Sequence, residues 1–402
     1  MTYDFTIVGA GIIGLSVGLA LAEKYEGSKI LILEKETDVA KHQTGRNSGV
    51  IHSGIYYEPG SLKAEMAKKG NEQIASFCEE YNIPYKITGK LIVATEDYEL
   101  DNLKELYIRG KKNDLELEMV NEQEIKQIEP YLNGIQGIKV QSTGIVDYKK
   151  VAQTFAEIFK SKGGTILLNE EVTKINNKSS EVIIDTSNKK KITTKYLINC
   201  SGLMSDIITE KSGIHTDLQI IPFRGEYYEL KKNKRHLIKN LIYPVPNPDF
   251  PFLGVHFTKM IDGRILIGPN AVLSLKREGY KKSSFNFKDS FNTLSYPGFW
   301  RLASKNLKMG LKEMYQSINK KEFVKSIQSF IPEITQNDLI PASAGVRAQA
   351  LEKNGFLVDD FYIIQDKKLL HVCNAPSPAA TASIEIGRKI VDEMINQTFA
   401  PN

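Results

Sequence analysis

The chain has 402 residues, of which 41% are hydrophobic and 25% charged, with a net charge of +5. This length predicts two packed units with a shared cleft rather than one domain. The charge is too small and too scattered to indicate a nucleic-acid partner, although it suits an anionic substrate or an acidic membrane surface. The three cysteines and six histidines have neither CxxC nor metal-ligand spacing. We therefore expect no disulfide, no metal site and a reducing, cytoplasmic location.

A dinucleotide-binding pattern stands at the start of the chain. Residues 5–8 predict a buried strand, and Gly9, Gly11 and Gly14 then form GxGxxG before an apolar helix. The following run KILILEKE predicts a second strand that carries Glu34 at its end. In such a unit the glycines allow a tight turn, close approach of a pyrophosphate and close helix packing, while the acid accepts hydrogen bonds from a ribose. The sequence therefore predicts a dinucleotide site.

Residues 5–22 carry no charge, so a signal peptide or a membrane-spanning helix is an alternative interpretation. Only Asp4 precedes the glycine-containing run as a charged residue, so the basic region of a signal peptide is missing. The glycines also follow the nucleotide-binding spacing. We therefore interpret this segment as internal structure.

The later elements predict an interleaved chain. A polar, glycine-rich stretch at residues 42–57 leads to a helix and to the strand GKLIVATE. An amphipathic helix follows Asp147, and the next strands form a hairpin at 187–189 and end in YLINCSG. Residues 219–278 predict a mostly antiparallel block, and residues 283–332 predict helices rich in aromatic side chains. The last unit returns to strands and closes with a helix.

These patterns predict an α/β (α+β) fold in which a Rossmann-like nucleotide domain is interleaved with a substrate domain built on a mostly antiparallel sheet. The nucleotide domain is expected to comprise residues 1–82, 143–218 and 336–402, and the substrate domain residues 83–142 and 219–335. Composition does not choose between FAD and NAD as the nucleotide.

Several strings, in this order, resemble the D-amino-acid oxidase-like family of FAD enzymes: VGAGIIGL, Glu34, RNSGVIHSG, YLINCSG, SAGVR and NAPSPAATAS. Within it, TGRNSGVIHSGIYYEPGSLKA, PFRGEYY, YPVPNPDFPFLGVHFT and NAPSPAATASIEIG resemble the members that oxidise L-2-hydroxyglutarate. The similarity extends over almost the whole chain, and residues 279–335 match least. The resemblance implies FAD-dependent oxidation of the small dicarboxylate L-2-hydroxyglutarate to 2-oxoglutarate.

The resemblance also implies where FAD is held, without a covalent bond, because the pattern around the flavin-linked histidine of some relatives is missing. The ADP end meets the glycine motif and the acid–lysine pair, the RNSG turn follows the pyrophosphate and ribityl chain, and a strand backbone meets the adenine. The prolines of the closing segment suggest the first turn of the last helix, whose N-terminus would stabilise charge on the flavin. The implied cofactor residues are Gly9, Gly11, Ile12, Ile13, Gly14, Glu34, Lys35, Thr44, Arg46, Asn47, Ser48, Gly49, Val172, Ser201, Gly202, Pro376, Ser377, Pro378, Ala379, Ala380 and Thr381.

For the substrate, the resemblance implies that Arg347 binds the C1 carboxylate, since a guanidinium offers a fixed fork of donors. His52 and His256 are the candidate bases for the hydroxyl proton while the C2 hydride passes to flavin N5. A surface arginine and core histidines are the alternative interpretations. The second carboxylate needs further donors, and the candidates are Tyr57, Lys63, Arg224 and Tyr243.

The reduced flavin needs an electron acceptor, either oxygen or a membrane quinone. Residues 285–315 hold the only tryptophan together with phenylalanines and lysines. This mixture suits either peripheral contact with the inner face of the cell membrane or a helical cap that packs on the substrate domain. Two other functions stay open: FAD-dependent oxidation of an amino acid or glycerol 3-phosphate, and non-catalytic FAD binding. The LGVHFT and SAGVR strings disfavour the last.

Overall fold

The computed structural model describes residues 2–247 and 253–398. The ends of the predicted nucleotide domain, Met1 and residues 399–402, lie outside the described residues, as do residues 248–252 of the predicted substrate domain.

The strands of the described residues, in chain order, are β1 (Thr2–Val8), β2 (Ile30–Leu33), β3 (Val50–Ile51), β4 (Tyr85–Ile87), β5 (Lys90–Ala94), β6 (Leu117–Asn121), β7 (Gln136–Val140), β8 (Gly144–Val146), β9 (Thr165–Leu167), β10 (Val172–Asn177), β11 (Val182–Thr186), β12 (Lys191–Asn199), β13 (Leu218–Gly225), β14 (Tyr228–Leu230), β15 (Leu241–Pro244), β16 (His256–Lys259), β17 (Ile265–Gly268), β18 (Val272–Leu273), β19 (Leu339–Pro341), β20 (Gly345–Glu352), β21 (Tyr362–Asp366) and β22 (Leu369–Asn374). The α-helices are α1 (Ile12–Lys24), α2 (Leu62–Glu80), α3 (Leu100–Lys112), α4 (Glu122–Ile128), α5 (Tyr148–Ser161), α6 (Ser205–Lys211), α7 (Phe287–Ser295), α8 (Pro297–Lys305), α9 (Leu307–Ile318), α10 (Lys320–Gln328) and α11 (Ser383–Thr398).

The first large sheet has a parallel centre. Strands β9, β2, β1, β12 and β22 lie side by side in this order, and β10, β11 and β21 join as antiparallel strands. Because side chains alternate along a strand, Ile7 packs in the core with α1, α5 and α11, whereas Val8 packs in the core on the other face. The sheet thus has the Rossmann-like layering that the sequence predicts.

The second large sheet has the order β19-β14-β17-β16-β15-β5-β7-β6 and is antiparallel except between β5 and β15. Its strands come from both segments predicted for the substrate domain, with β19 added from outside them. A smaller sheet, β18-β13-β20, aligns Phe223 with Arg347. The predicted α/β (α+β) fold class is confirmed, and the domain boundaries stay a prediction.

Local signals were confirmed in several places. Asp147 caps α5 by accepting from the backbone N–H of Lys149, and β11 and β12 form the predicted antiparallel hairpin. Helices α7 to α10 occupy the segment predicted to be helical. The predicted start of the last helix was wrong, because residues 376–382 form turns and α11 begins at Ser383. Two prolines within three residues remove backbone donors and restrict the residues before them, which delays the helix.

Candidate active site

A cavity of about 1140 Å³ is lined by residues from both large sheets and from the small sheet. It exceeds the roughly 300–1,000 Å³ that is common for small-molecule sites. Of the residues predicted to bind cofactor or substrate or to act as base, all line the cavity except Gly14, Gly49 and Arg224.

The glycine turn between β1 and α1 is tightly packed. Gly9 has a φ of +104°, and a Cβ there would lie 2.6 Å from the Cys200 carbonyl oxygen. A Cβ on Gly14 would lie 2.0 Å from the carbonyl oxygen of Gly9. Gly14 therefore acts in helix–strand packing, which explains why it lies behind the cavity wall rather than in it.

Glu34 and Thr44 fix the turn from two sides. The Glu34 carboxylate accepts from the backbone N–H of Ala10 at 2.8 Å and of Glu36 at 3.0 Å. The Thr44 hydroxyl accepts from the backbone N–H of Ile12 at 3.0 Å, at the first residue of α1. The acid that the sequence assigns to a ribose thus also orients the glycine turn.

The RNSG turn is braced by Asn47. Its amide nitrogen donates to the carbonyl oxygens of Gln43 and Thr44, at 3.1 and 2.7 Å, and its amide oxygen accepts from the Gly49 N–H at 2.8 Å. The Arg46 guanidinium lies 3.9 Å from the centroid of the Tyr280 ring. Ser48 lines the cavity, whereas Gly49 belongs to the same turn but lies behind the cavity wall.

Lys35 belongs to an ion-pair cluster beside the cavity. Its ammonium donates to Glu36 at 2.6 Å and to Glu278 at 2.8 Å, and it lies 3.1 Å from His42 Nε2. Burial opposes its charge, but the two carboxylates raise the pKa of Lys35 overall. Glu36, His42 and Glu278 are close enough to share a metal ion. The Lys35 ammonium bridges the two carboxylates and so joins the segment after β2 to the segment after β18.

Two strand ends form the part of the wall that the resemblance assigns to the adenine end of the cofactor. The Val172 carbonyl, at the start of β10, accepts from Lys211 Nζ at 2.7 Å. The Ser201 hydroxyl donates to Asn199 Oδ1 at 2.6 Å, and Gly202 follows with a φ of +56°. Both strand ends therefore present ordered backbone to the cavity.

The closing turn of residues 376–381 contacts the segment that carries His52. The Thr381 hydroxyl accepts from the His52 backbone N–H at 3.1 Å and lies 2.8 Å from the Tyr148 hydroxyl. Pro376, Ser377, Pro378, Ala379 and Ala380 line the cavity beside it. The segment that was expected to begin the last helix therefore forms turns, and α11 begins after it.

The two candidate bases meet at the other end of the cavity. Burial lowers the pKa of His52 to about 3, with the positive charge of Lys90 and then His256 adding to the effect. Burial lowers the pKa of His256 to about 4, against a hydrogen bond to the Gly254 carbonyl. His256 Nδ1 lies 2.9 Å from that carbonyl oxygen, which only accepts, so Nδ1 carries the proton. Nε2 of His256 is therefore the unprotonated nitrogen that can accept a proton. Both imidazole rings are neutral at pH 7.

Arg347 and Tyr57 complete this end of the cavity. Arg347 lies deep in the protein, where burial lowers its pKa, yet much of its side chain faces the cavity space. Burial raises the pKa of Tyr57, whose hydroxyl lies beside Ser377. Arg347 interacts electrostatically with both His256 and Tyr57, so residues far apart in the chain share one site.

Arg224 is the predicted substrate residue that the structure does not bring to the cavity. It is 7% exposed, and its guanidinium donates to Glu226 Oε1 at 3.0 and 2.8 Å. Phe223 and Gly225, its neighbours on β13, do line the cavity. Because side chains alternate along a strand, Arg224 faces the opposite side.

Three further residues of this end were not identified from the sequence: Tyr56, Lys90 and Tyr227. Burial raises the pKa of Tyr227 to about 12, while the nearby Arg347 charge opposes the rise. Lys90 begins β5 and is 2% exposed, with its ammonium 4.5 Å from the Tyr56 ring centroid and 5.0 Å from that of Tyr243. In GKLIVATE a lysine before an apolar run resembles an ordinary strand start. The signal that was available is the pair Tyr56 and Tyr57 at the end of the polar, glycine-rich stretch of residues 42–57.

The lining fits FAD by its chemistry. A glycine turn at a helix N-terminus suits a pyrophosphate, and Glu34 suits a ribose. The far end combines two neutral histidines with the Arg347 guanidinium, which suits an isoalloxazine ring beside a small acid.

Comparison with known proteins agrees. The model of the family described as FAD dependent oxidoreductase (DAO) matches residues 4–393. The chain is 49% identical over 394 residues to an L-2-hydroxyglutarate dehydrogenase of Indibacter alkaliphilus, covering 98% of each chain. It is 45% identical over 415 residues to the mitochondrial L-2-hydroxyglutarate dehydrogenase of Homo sapiens, covering 99% of this chain and 89% of the relative.

A solved structure supports the fold. The L-alpha-glycerophosphate oxidase from Mycoplasma pneumoniae with FAD bound superposes with a TM-score of 0.78 at 23% identity, covering 98% of this chain and 95% of that one. At this identity the likeness concerns the fold alone. Taken with the family match and the full-length relatives, it shows that the chain belongs to the FAD dependent oxidoreductase (DAO) family and, within it, groups with the L-2-hydroxyglutarate dehydrogenases.

Proposed function

We propose that this protein oxidises L-2-hydroxyglutarate to 2-oxoglutarate with non-covalently bound FAD. The observation that carries the proposal is the meeting of His52, His256 and Arg347 at one end of a cavity whose other end is a glycine turn. The full-length relatives, whose names give this substrate, support it.

Each group has a task in this reaction. Bound FAD supplies the acceptor for the hydride that leaves C2. Arg347 would hold the C1 carboxylate, because two parallel N–H donors fix both its distance and its plane. His256 Nε2 would take the hydroxyl proton as the carbonyl forms, so the substrate loses one hydride and one proton in total.

The tautomer of His256 favours this residue, rather than His52, as the base. The Nδ1–H of His256 is held on a carbonyl, which leaves the Nε2 lone pair available. The described hydrogen bonds of His52 involve its backbone, through Thr381 and Asn71. His52 would therefore shape the cavity wall beside the substrate.

The second carboxylate would lie toward Tyr57 and Lys63. Both line the cavity, and the Lys63 ammonium lies 5.2 Å from the centroid of the Tyr57 ring. Lys63 also pairs with the exposed Asp359 at 3.0 Å. A substrate carboxylate could take over part of that pairing without leaving a buried charge unpaired.

The test is anaerobic addition of L-2-hydroxyglutarate to the FAD-loaded protein. We expect the oxidised flavin spectrum to bleach with the L enantiomer and to persist with the D enantiomer, an amino acid or glycerol 3-phosphate. Bleaching by an amino acid or by glycerol 3-phosphate would show that the substrate is that compound and would contradict the proposed one. An intact spectrum with every compound would favour non-catalytic FAD binding. Release of the flavin into the supernatant on acid precipitation tests the non-covalent linkage.

We further infer peripheral membrane contact through α7 to α9, with a membrane quinone as electron acceptor. No helix of the described residues has the length and apolar character that spanning requires. Phe287 is 76% exposed and Trp300 58%, and seven other large apolar side chains of this region are exposed too. Lysines lie among them, as in interfacial amphipathic segments.

Co-sedimentation with vesicles tests this contact. Wild-type protein should pellet with phosphatidylglycerol-containing vesicles, and a Phe287→Ser, Trp300→Ser double variant should stay in solution. Tyr98→Ser is the matched control, since Tyr98 is 80% exposed but lies outside these helices. Equal pelleting of both variants would contradict the contact and favour oxygen as acceptor.

A further inference from the structure

Lys90 is a buried cation for which the described residues offer no ionic partner. It is the first residue of β5, paired in register with Leu241 of β15 on one side and Val140 of β7 on the other. Among the described residues, its ammonium makes neither a hydrogen bond nor an ion pair, and its pKa is governed by burial alone. An unpaired ammonium in the interior is costly, and proteins keep one chiefly where it acts.

The groups around Lys90 are neutral or positive. The rings of Tyr56 and Tyr243 lie at 4.5 and 5.0 Å from its ammonium. The other face of Tyr243 stacks on His256 at a centroid distance of 4.1 Å and an interplanar angle of 19°. His52 and His256 both sense the Lys90 charge. No described carboxylate offsets that charge.

The two tyrosine hydroxyls beside it also lack a partner among the described residues. Tyr56 Oη and Tyr243 Oη are buried, and neither makes a hydrogen bond of normal geometry with the described residues, although Tyr243 lies near the Thr258 hydroxyl. Lys90 itself does not line the cavity. Its influence on a ligand is therefore electrostatic and passes through the tyrosine layer.

We propose that Lys90 is a positioning residue that supplies a switchable positive charge to the substrate end, taking up one proton from solvent when a dicarboxylate binds. The inference rests on the proposed function, since a dianion is the ligand that needs such compensation. No covalent or redox step is involved: the proton adds to Nζ and returns to solvent when the product leaves.

The direction in which ligand affinity changes with pH follows from the pKa of Lys90. Burial lowers the pKa of Lys90 to about 7, so near neutral pH the free protein holds it partly uncharged. A nearby dianion stabilises the ammonium and raises that pKa. The liganded protein then binds more protons, and its affinity for the dianion falls by up to about tenfold per pH unit above pH 7. The other titratable groups that face the site are His52, His256, Arg347, Lys63, Tyr56, Tyr57, Tyr227 and Tyr243. The two histidines have pKa values well below this window, and burial raises the pKa of each tyrosine further above it.

The test is calorimetric titration of FAD-loaded protein with 2-oxoglutarate at pH 8, in buffers of different ionisation enthalpy. Wild-type protein should take up close to one proton per ligand. Lys90→Met should take up none and bind weakly at every pH. Lys90→Arg, whose charge is permanent, should take up none and keep its affinity from pH 7 to pH 9. Lys139→Met is the matched control, since Lys139 lies on the adjacent strand but is 42% exposed and paired with Glu118.

Each outcome decides the matter. Proton uptake that is equal in wild type and in Lys90→Met would overturn the proposal, and FAD content and the thermal midpoint verify that the variants are folded. A merely structural Lys90 would lower the thermal midpoint on substitution but would leave the proton count unchanged. Failure of the proposed function is distinguishable, because wild-type protein would then neither bleach with L-2-hydroxyglutarate nor bind 2-oxoglutarate.

Discussion

The glycine end of the cavity differs from the opposite end in how its polar groups are satisfied. The opposite end, where His52, His256 and Arg347 meet, is where we propose that the substrate binds, and we call it the substrate end. At the glycine end, Glu34, Thr44 and Asn47 each have short hydrogen bonds to backbone groups within the described residues. At the substrate end, Lys90 and the Tyr56 and Tyr243 hydroxyls have none within them. These three side chains of the first region are hydrogen-bonded before a ligand arrives, whereas the second region carries buried polar groups that have no partner among the described residues.

This difference has a physical consequence. Satisfied hydrogen bonds keep the glycine turn in one conformation, which lowers the entropy cost of binding a large cofactor. Buried, unsatisfied groups cost stability in the free protein, but they interact strongly with a charge placed near them. The hydrogen bonds of the glycine end thus stabilise the free protein. The unsatisfied groups of the substrate end lower its stability but favour the binding of an acid.

The largest effect should come from the base. His256→Ala should slow anaerobic flavin reduction by roughly 10²- to 10⁴-fold, the usual contribution of a positioned general base. Stopped-flow absorbance measures the rate, with His52→Ala as the matched variant. A greater loss in His52→Ala would exchange the roles of the two rings.

The second largest effect should come from removal of the Arg347 guanidinium. Arg347→Met should lower kcat/KM for L-2-hydroxyglutarate by roughly 100- to 1,000-fold, as expected for a buried charge pair that loses one partner. Arg347→Lys should fall between it and wild type, because an ammonium restores the charge without the fork. FAD content should be unchanged in both. Loss of FAD would instead place Arg347 in the cofactor site.

A smaller effect is expected at the satisfied end. Gly14→Ala places a Cβ 2.0 Å from the Gly9 carbonyl oxygen, so the turn must shift. Such overpacking costs about 1–3 kcal/mol and should weaken FAD binding, as measured by flavin fluorescence during titration of apoprotein. Gly310→Ala is the control, since a Cβ there meets nothing within 4 Å. Unchanged FAD affinity in Gly14→Ala would contradict the preformed turn.

The smallest effect concerns stability and pH. The pKa of Lys90 is about 7 in the folded protein, below its ordinary value, so between pH 7 and about 10 the unfolded chain binds more protons. This lysine therefore costs stability at pH 7, and the cost diminishes as pH rises. Lys90→Met should raise the thermal midpoint by a few degrees at pH 7 and by less at pH 9. A lowered midpoint at pH 7 would show that the lysine stabilises the fold.

The sequence by itself determined the parts of the molecule whose cause is local. The GxGxxG spacing, Glu34 at a strand end, the cap at Asp147 and the helices of residues 283–332 depend on neighbours within a few positions, so their patterns predict structure directly. The cofactor and the family followed from such strings. Pro376 and Pro378 were enough to misplace the start of α11, because the turns they favour compete with a first helical turn.

Only the tertiary structure decided which side chains share the substrate end. The register of β13 turns Phe223 toward the cavity and Arg224 toward Glu226, and a sequence does not state which face of a strand is which. Lys90 and Tyr243 are distant in the chain and meet because β5 pairs with β15. The pKa of a buried group depends on all such neighbours, and so does whether a buried hydroxyl finds a hydrogen-bond partner. Both are therefore set by the packing of the whole chain rather than by any short stretch of it.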